Sequence, residues 1–148
     1  MINPEDKFNL SRFVDAQYDD FDIAISEMRS GRKESHWMWY IFPQFLGLGM
    51  SSMSLDYAIR SKDEALAYLA HPVLGSRLRL CCDTLLQHRG KNIEEIFYDP
   101  DHLKLRSSMT LFDSVSEHPS LFGDVLEAFF DSMCDKKTIV LLHESSGI

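Results

Sequence analysis

The sequence predicts an all-α fold: one compact domain of about seven to nine short helices, with orthogonal packing rather than a bundle. Apolar residues recur at three- and four-residue steps along nearly the whole chain, which is typical of helices that bury one face. Serine, glycine and proline stand where such segments would begin and end. The chain has 148 residues, 45% of them hydrophobic, so we treat residues 1–148 as a single helical domain with one core.

The first predicted helix begins near Phe8 and ends before Gly31. Its apolar face contains residues at helical spacing, and they are Phe8, Leu10, Phe13, Val14, Tyr18, Phe21, Ile25 and Met28. Glycine readily adopts the left-handed conformation at a helix C-terminus, so Gly31 is well placed to end this helix. Acidic residues, among them Glu27, fall on the opposite face, where we expect solvent.

The segment HWMWYIF, residues 36–42, predicts a second, short helix with Ser35 as its N-cap and Pro43 at its end. It is apolar on every side, which favours a central position in the core. After a turn at the sequence GLG, a third helix is expected to begin at Ser51 or Ser52 and to include MSLDYAIRS.

The second half of the chain has clearer boundaries. Ser61 and Glu64 form a capping box for the helix ALAYLA, which ends at His71–Pro72. Longer helices are predicted in PVLGSRLRLCCDTLLQHRG, DHLKLRSSMTLFDSVSEH and SLFGDVLEAFFDSMC, with a short one in NIEEIF. The last segment, DKKTIVLL, would be a short helix, but a strand is also compatible with a short apolar run rich in β-branched residues.

The charge balance argues against several functions. The chain has 15 basic and 23 acidic residues, a net charge of -8, whereas duplex binding needs a cationic face, so we expect no nucleic-acid partner. No apolar run approaches the roughly 20 residues that span a bilayer, and the N-terminus lacks a signal-peptide pattern. We therefore expect a cytoplasmic protein with no membrane partner.

Cysteine and histidine spacing indicates neither disulfides nor a metal site. Cys81, Cys82 and Cys134 form no disulfide framework, and we expect reduced thiols in the core. The six histidines are scattered without ligand spacing. There is no P-loop and no G-x-S-x-G elbow, so we predict no metal and no cofactor, and catalytic residues are not indicated.

Aromatic residues are densest in GRKESHWMWYIFPQ, and two interpretations remain open. The segment is either only a core helix, or part of a pocket that has Trp37 or Trp39 as its floor and His36 and Gln44 at its rim. His36 and Gln44 have no obvious structural task beside so much apolar surface. Such a pocket would suit a flat heterocycle.

The helix LKLRSSMTLF places polar residues inside an apolar pattern: Lys104, Arg106, Ser107 and Ser108. One interpretation is a solvated face whose hydroxyls bond to the preceding turn. The other is a half-buried cluster of cations and hydroxyls that holds an anion. The glycine-rich stretch QFLGLGMSSMS is either a tight turn or a source of backbone N–H groups for the same anion.

Five segments of the chain resemble one known family. LSRFVDAQ, GRKESHWMWYIFPQFLGLG, YAIRSKDEALAYLAHPVLGSRL, EEIFYDPDHLKLRSSMTLF and TIVLL are similar to the bacterial domain-of-unknown-function family numbered 1810, sometimes labelled calpastatin-like. The resemblance covers most of the chain and implies a single, mainly α-helical domain and no established reaction. The calpastatin label does not suit this chain, because that inhibitor class is disordered whereas this composition is globular.

Our leading hypothesis is that one cleft binds a small anionic, nucleotide-like ligand. Lys104 and Arg106 would hold the anion, Trp37 or Trp39 would stack on the ring, and His36 would hydrogen-bond to the ligand or act as acid and base. One alternative is a hydrolase or glycosidase that acts on such a ligand. The other is a protein-interaction module whose aromatic segment forms an interface, for example in a homodimer.

Overall fold

Nine helices fill the part of the chain that the structure, a computed structural model, describes, which is residues 6–146. In chain order they are α1 (Ser11–Ser30), α2 (Met38–Ile41), α3 (Ser52–Asp56), α4 (Lys62–Ala70), α5 (Leu74–Leu86), α6 (Ile93–Ile96), α7 (Asp101–Ser114), α8 (Leu121–Phe130) and α9 (Lys136–Ser146). An isolated parallel bridge joins Phe45 to Ile59. The predicted all-α fold is confirmed, with its helices in one compact domain.

Two central helices organise the core. α5 contacts α1, α4 and α8, whereas α7 contacts α4, α6, α8 and α9. The largest fully buried side chains are mostly aromatic, and they include Trp37, Tyr68, Phe13, Phe42, Phe97 and Phe112. Many of these rings meet edge to face, an arrangement that the ring quadrupole favours.

The first helix starts later than predicted and ends where predicted. α1 begins at Ser11 rather than near Phe8, because the carboxylate of Asp6 accepts hydrogen bonds from the backbone N–H groups of Leu10 (2.6 Å) and Ser11 (3.0 Å). Gly31 ends the helix in the left-handed conformation, with φ of 79°. The sequence therefore located the end of α1 better than its start.

One residue of the predicted apolar face of α1 is in fact exposed. Tyr18 is 82% exposed, whereas the preceding Gln17 is buried. The side-chain amide of Gln17 donates to the carbonyl of Tyr40 (2.7 Å) and to the hydroxyl of Tyr68 (3.1 Å), and its oxygen accepts from Arg77 (3.3 Å). A glutamine with its hydrogen bonds satisfied thus occupies the inward position that the apolar pattern assigned to its neighbour.

The second helix has no side-chain cap, contrary to the prediction. Trp37 occupies the N-cap position of α2, and Ser35 instead turns toward α1. The carboxylate of Glu27 accepts from the hydroxyl of Ser35 (2.6 Å), the backbone N–H groups of Glu34 (2.8 Å) and Ser35 (2.9 Å), and Trp37 Nε1 (2.9 Å). Glu27 was expected in solvent, but it ties the loop after α1 to the core.

The hydrogen bonds to Glu27 make stability depend on pH. Partial burial by itself would raise the pKa of Glu27, but the bonds from Ser35, Glu34 and Trp37 outweigh it and lower this pKa from 4.5 to about 2. A carboxylate with a lowered pKa stabilises the folded state above its unfolded pKa, and this contribution is lost as the pH falls through the folded value.

Between pH 4.5 and about 2 the melting temperature should therefore fall more steeply for the wild type than for Glu27→Gln. Thermal unfolding across this range tests the difference, with the exposed Glu34→Gln as control; parallel curves for wild type and Glu27→Gln would refute it.

The third helix is capped by Ser51, one of the two predicted residues, and is shorter than expected. The hydroxyl of Ser51 accepts from the backbone N–H of Ser54 at 3.1 Å. α3 ends at Asp56, because the Ile59 N–H donates to the Gln44 carbonyl (2.9 Å) in an extended segment. The loop after α2 is thereby fixed beside α3.

The predicted capping box at the start of α4 has the expected hydrogen bond at Ser61, but its glutamate bonds to a different residue from the usual one. The hydroxyl of Ser61 accepts from the backbone N–H of Glu64 at 3.0 Å. The carboxylate of Glu64 reaches back one residue further than in the usual motif, to the N–H of Arg60 (3.1 Å), and it also pairs with Arg12 (2.6 Å). Glu64 therefore joins the start of α4 to α1.

The last part of the chain resolves the ambiguity between helix and strand. TIVLL lies in α9, and Asp135 precedes this helix as an acceptor for the backbone N–H of Thr138 (3.2 Å).

α7 ends at Ser114, and α8 ends at Phe130, where Asp131 adopts the left-handed conformation with φ of 52°. Both helices are shorter than predicted.

Two of the three cysteines occupy the predicted environment. Cys81 and Cys82 are buried, and burial raises the pKa of the Cys81 thiol to about 12, which favours the protonated form. Cys134 is exposed, contrary to the prediction, because it lies in the link between α8 and α9 rather than in a helix.

Candidate functional site

A cleft lies between α7, the start of α9, and the segment that runs from the loop after α2 into α3. Its volume is about 260 Å³. The residues that line it are Gln44, Leu48, Gly49, Ser54, Pro100, Leu103, Lys104, Ser107, Asp135 and Lys137. We call it the α7–α9 cleft.

Two larger cavities, of about 470 and 380 Å³, lie beside the start of α1. Their principal charged groups already have structural partners, since Asp6 caps α1 and Arg12 is paired with Glu64. Other charged residues, among them Lys7 and Arg60, also line these cavities. We regard the smaller α7–α9 cleft as the candidate site because it brings together residues from both polar segments that the sequence singled out.

Lys104 joins the two polar segments that the sequence singled out. Its Nζ lies 5.1 Å from the centroid of the Trp39 ring, which is a cation–π distance, and 3.5 Å from Asp101 Oδ1. Trp39 is half-buried and packs against the core. The aromatic segment and α7 therefore do meet, through the side chain of Lys104.

Asp135 is held in one orientation at the edge of the cleft. Its Oδ2 accepts from Thr138 N–H (3.2 Å) and Thr138 Oγ1 (2.5 Å), and it lies 3.0 Å from Ser107 Oγ, whose proton also lies within reach of the Leu103 carbonyl (3.1 Å). Its own N–H donates to Thr110 Oγ1 at 2.9 Å. Arg106 Nη2 lies 3.9 Å from Oδ1, which is too far for a hydrogen bond. Within residues 6–146, one carboxylate oxygen is thus saturated while the other accepts no hydrogen bond.

The first turn of α9 adds positive charge. Lys137 lies in this turn and lines the cleft. Backbone N–H groups in the first turn of a helix lack intrahelical partners and carry a partial positive charge. Among the described wall residues, Lys104 and Lys137 are cationic and Asp135 is anionic, so cations outnumber anions on this wall in a chain of net charge -8.

Three of the predicted ligand residues line the cleft, Gln44, Lys104 and Ser107, and Trp39 adjoins it through Lys104. The glycine-rich turn takes part as well, because Leu48 and Gly49 are wall residues. Polar residues in an apolar pattern thus indicated the face of α7 that lines this cleft.

The other predicted ligand residues lie outside the wall of this cleft as the structure describes it. Trp37 is 1% exposed in the core, and Ser108 is 0% exposed there, with no hydrogen-bond partner for its hydroxyl within residues 6–146. Arg106 lies beside Asp135, and His36 is exposed elsewhere. Successive residues on a helix differ by about 100° in direction, so Ser108 points inward although Ser107 and Lys104 face the cleft.

Asp135 and Lys137 were missed by the sequence analysis. An aspartate three residues before Thr138, followed by an apolar run, is an N-cap pattern that would have identified the start of a helix. The ambiguity of TIVLL concealed this pattern, since an N-cap has meaning only if a helix follows.

Within the described residues, His, Cys, Asp and Glu form no group of three or more that could hold a metal ion. No helix there is long and apolar enough to cross a membrane.

Comparison with known proteins finds a family whose profile matches most of the chain. The profile of a family described as "Protein of unknown function (DUF1810)" matches residues 7–142, which include the entire wall of the cleft. A search of curated proteins finds no match. Among solved structures, the chain is similar to the conserved hypothetical protein Rv1873 from Mycobacterium tuberculosis, with a TM-score of 0.90 and 45% sequence identity over 92% of this chain and 97% of that chain.

Proposed function

We propose that this chain, which belongs to the DUF1810 family, binds a small anionic ligand in the α7–α9 cleft. The observation on which this rests is the pair of lysines, Lys104 from α7 and Lys137 from α9, on the wall of one cleft. Paired ammonium groups in a concave site attract phosphate or carboxylate groups. The excess of acidic residues elsewhere in the chain makes such a pair a local feature rather than a general property of the surface.

The surroundings of Lys104 support binding rather than a freely solvated side chain. Its ammonium group lies near both the Trp39 ring and Asp101 Oδ1, and these two contacts restrict its position before a ligand arrives. Side chains that are ordered in advance lose less entropy on binding. Gln44 adds a side-chain amide to the same wall.

The volume of the cleft limits the size of ligand that it can hold. A volume of about 260 Å³ lies just below the ~300–1,000 Å³ that is usual for drug-sized ligands. A dinucleotide is therefore too large, and a small phosphorylated or carboxylated metabolite fits better than the nucleotide-like ligand first expected. Stacking on Trp37 is not part of the proposal, because that ring lies in the core.

The two alternative functions find less support. A glycosidase uses a pair of carboxyl groups. The described wall residues include one carboxylate, that of Asp135. An interface formed by the aromatic segment would need exposed rings, but Trp37, Tyr40 and Phe42 are buried. Binding is therefore the function that the geometry supports best.

The lysine pair can be tested by removing one charge at a time. We expect inorganic phosphate or a small phosphorylated metabolite to raise the melting temperature of the wild type, since a ligand that prefers the folded state stabilises it. Lys104→Ala and Lys137→Ala should each weaken this binding by about 10- to 150-fold, the equivalent of one charge-assisted hydrogen bond. Isothermal titration calorimetry measures the affinities.

Lys136→Ala is the matched control, because Lys136 is exposed in the same turn of α9 and lies outside the wall. It removes the same charge and should leave the affinity nearly unchanged. If Lys136→Ala weakens binding as much as Lys137→Ala, the effect is one of overall charge. That result, or the absence of stabilisation by every anion tested, would contradict the proposal.

A further inference from the structure

We infer that the ligand of the α7–α9 cleft is a phosphorylated polyol, such as a sugar phosphate, with its phosphate on Lys104 and Lys137 and a hydroxyl group on Asp135 Oδ1. This inference rests on the proposed function and names the chemical class of its ligand. It follows from the opposite charges that one small cleft presents.

The two oxygens of the Asp135 carboxylate differ in their hydrogen bonds. Asp135 Oδ2 is saturated by Ser107 and Thr138, whereas Oδ1 has no hydrogen-bond donor among the described residues, the nearest cationic atom being Arg106 Nη2 at 3.9 Å. An ionised carboxylate oxygen only accepts hydrogen bonds, and its lone pairs require donors. The Asp135 side chain is partly exposed on the wall, so a donor from a ligand can reach this oxygen.

Asp135 Oδ1 requires a donor that suits the charges around it. A phosphate next to Asp135 would be repelled, so the anionic part of the ligand must lie toward the lysines and a different part must face Asp135. An ammonium group is disfavoured there, because Arg106 already lies beside Oδ1 and Lys137 belongs to the same wall. A neutral hydroxyl can donate to Oδ1, and it is repelled neither by the carboxylate nor by the nearby cations of Arg106 and Lys137.

The rest of the wall combines neutral polar groups with apolar surface. Gln44 and Ser54 supply neutral groups that both donate and accept, as neighbouring hydroxyls require. Leu48 and Leu103 supply apolar surface for the carbon skeleton. A chain of carbons with several hydroxyls and one phosphate therefore matches each type of group on the wall.

The orientation of Asp135 makes this recognition specific. Ser107 and Thr138 fix the carboxylate before binding, so Oδ1 needs no reorganisation to accept a hydroxyl. A hydroxyl hydrogen bond to a charged group should therefore strengthen binding by about 10- to 100-fold relative to phosphate alone.

Calorimetric titration of the full chain with inorganic phosphate, ribose 5-phosphate and phosphoethanolamine tests the inference. For the wild type, ribose 5-phosphate should bind about 10- to 100-fold more tightly than phosphate. Asp135→Asn should reduce this advantage, because the donors of Thr138 hold the asparagine oxygen and turn its NH₂ group toward the ligand, so that a weaker neutral bond to the hydroxyl oxygen replaces the charge-assisted one. Its affinity for phosphate should stay equal or increase, since a like charge is removed.

Two controls separate the ligand contact from stability and from overall charge. Asparagine and serine are good N-cap residues, so Asp135→Asn and Asp135→Ser should both keep α9 folded, and the serine variant also lacks the carboxylate. Asp131→Asn removes the same charge at an exposed position outside the wall, and it should leave the preference for ribose 5-phosphate intact.

The outcomes distinguish this inference from the proposed function. If phosphate binds through the lysines but ribose 5-phosphate binds no more tightly, the ligand class is wrong while anion binding stands. Tighter binding of phosphoethanolamine than of ribose 5-phosphate would mean that Asp135 accepts an ammonium group, which also overturns the inference. If neither phosphate nor ribose 5-phosphate binds the wild type, this inference fails, and if small carboxylates do not bind either, the proposed function fails with it.

Discussion

Replacement of Trp37 by alanine should lower the free energy of unfolding by about 3–5 kcal/mol, as is usual when a fully buried tryptophan is truncated. Trp37 is 1% exposed, and its ring meets that of Phe97 edge to face, with centroids 5.9 Å apart. The change would leave a cavity beside Phe42 and Phe97. It would also remove the Nε1 donor from Glu27, so a half-buried carboxylate would lose one of its hydrogen bonds.

Urea denaturation measures this loss of stability, provided that the slope of the free energy of unfolding against urea concentration is the same in the wild type and the variant. Trp37→Phe is the informative intermediate, because it keeps an aromatic ring but lacks the N–H, and it should be less destabilising than alanine. Trp39→Ala is the comparison, since Trp39 is only half-buried, and it should cost less than Trp37→Ala. A loss below about 1 kcal/mol for Trp37→Ala, typical of surface changes, would show that the ring is not essential to the core.

The contrast between the two tryptophans shows where the sequence stopped being informative. The segment HWMWYIF is apolar on every side, so helical periodicity assigns no inward direction to it. Trp37 also stands at the N-cap of α2, before the regular helix begins. Its burial depends on Glu27, ten positions earlier, which no local pattern connects with it.

Local signals located most helices. Gly31 and Ser61 act as the end and the cap that their residue types predicted, because the conformation of glycine and the hydroxyl of serine act within a few residues. Signals that depend on more distant parts of the chain were less informative. Gln17 is buried in place of Tyr18 because of partners on α2, α4 and α5.

The same distinction applies to the candidate site. Lys104 and Ser107 could be found, because polar residues interrupt an apolar helix that is unambiguous. Ser108 and Arg106 follow the same local pattern, but packing around α7 directs one inward and the other to Asp135. Asp135 and Lys137 required knowledge that the chain after them is helical.

The second large effect is expected at Arg12, which the sequence analysis did not single out. Arg12→Met should lower the free energy of unfolding by about 3–5 kcal/mol, because it leaves the carboxylate of Glu64 buried without its cation. Glu64 is 3% exposed at its side chain, and its Oε2 lies 2.6 Å from Arg12 Nη2. The guanidinium group also donates to backbone carbonyls around it, those of Phe8, Asn9, Asp56 and Ala58.

A double-mutant cycle separates the ion pair from these carbonyl contacts. If the unpaired carboxylate causes most of the loss, then Arg12→Met with Glu64→Leu should be more stable than the sum of the two single changes, because no buried charge remains. Complete additivity would mean that Arg12 acts through the carbonyls alone. Chemical denaturation of the four proteins decides between these cases. The free carbonyls should still leave the double variant less stable than the wild type, since Asp56 and Ala58 lie where α3 ends and the chain turns back toward α4.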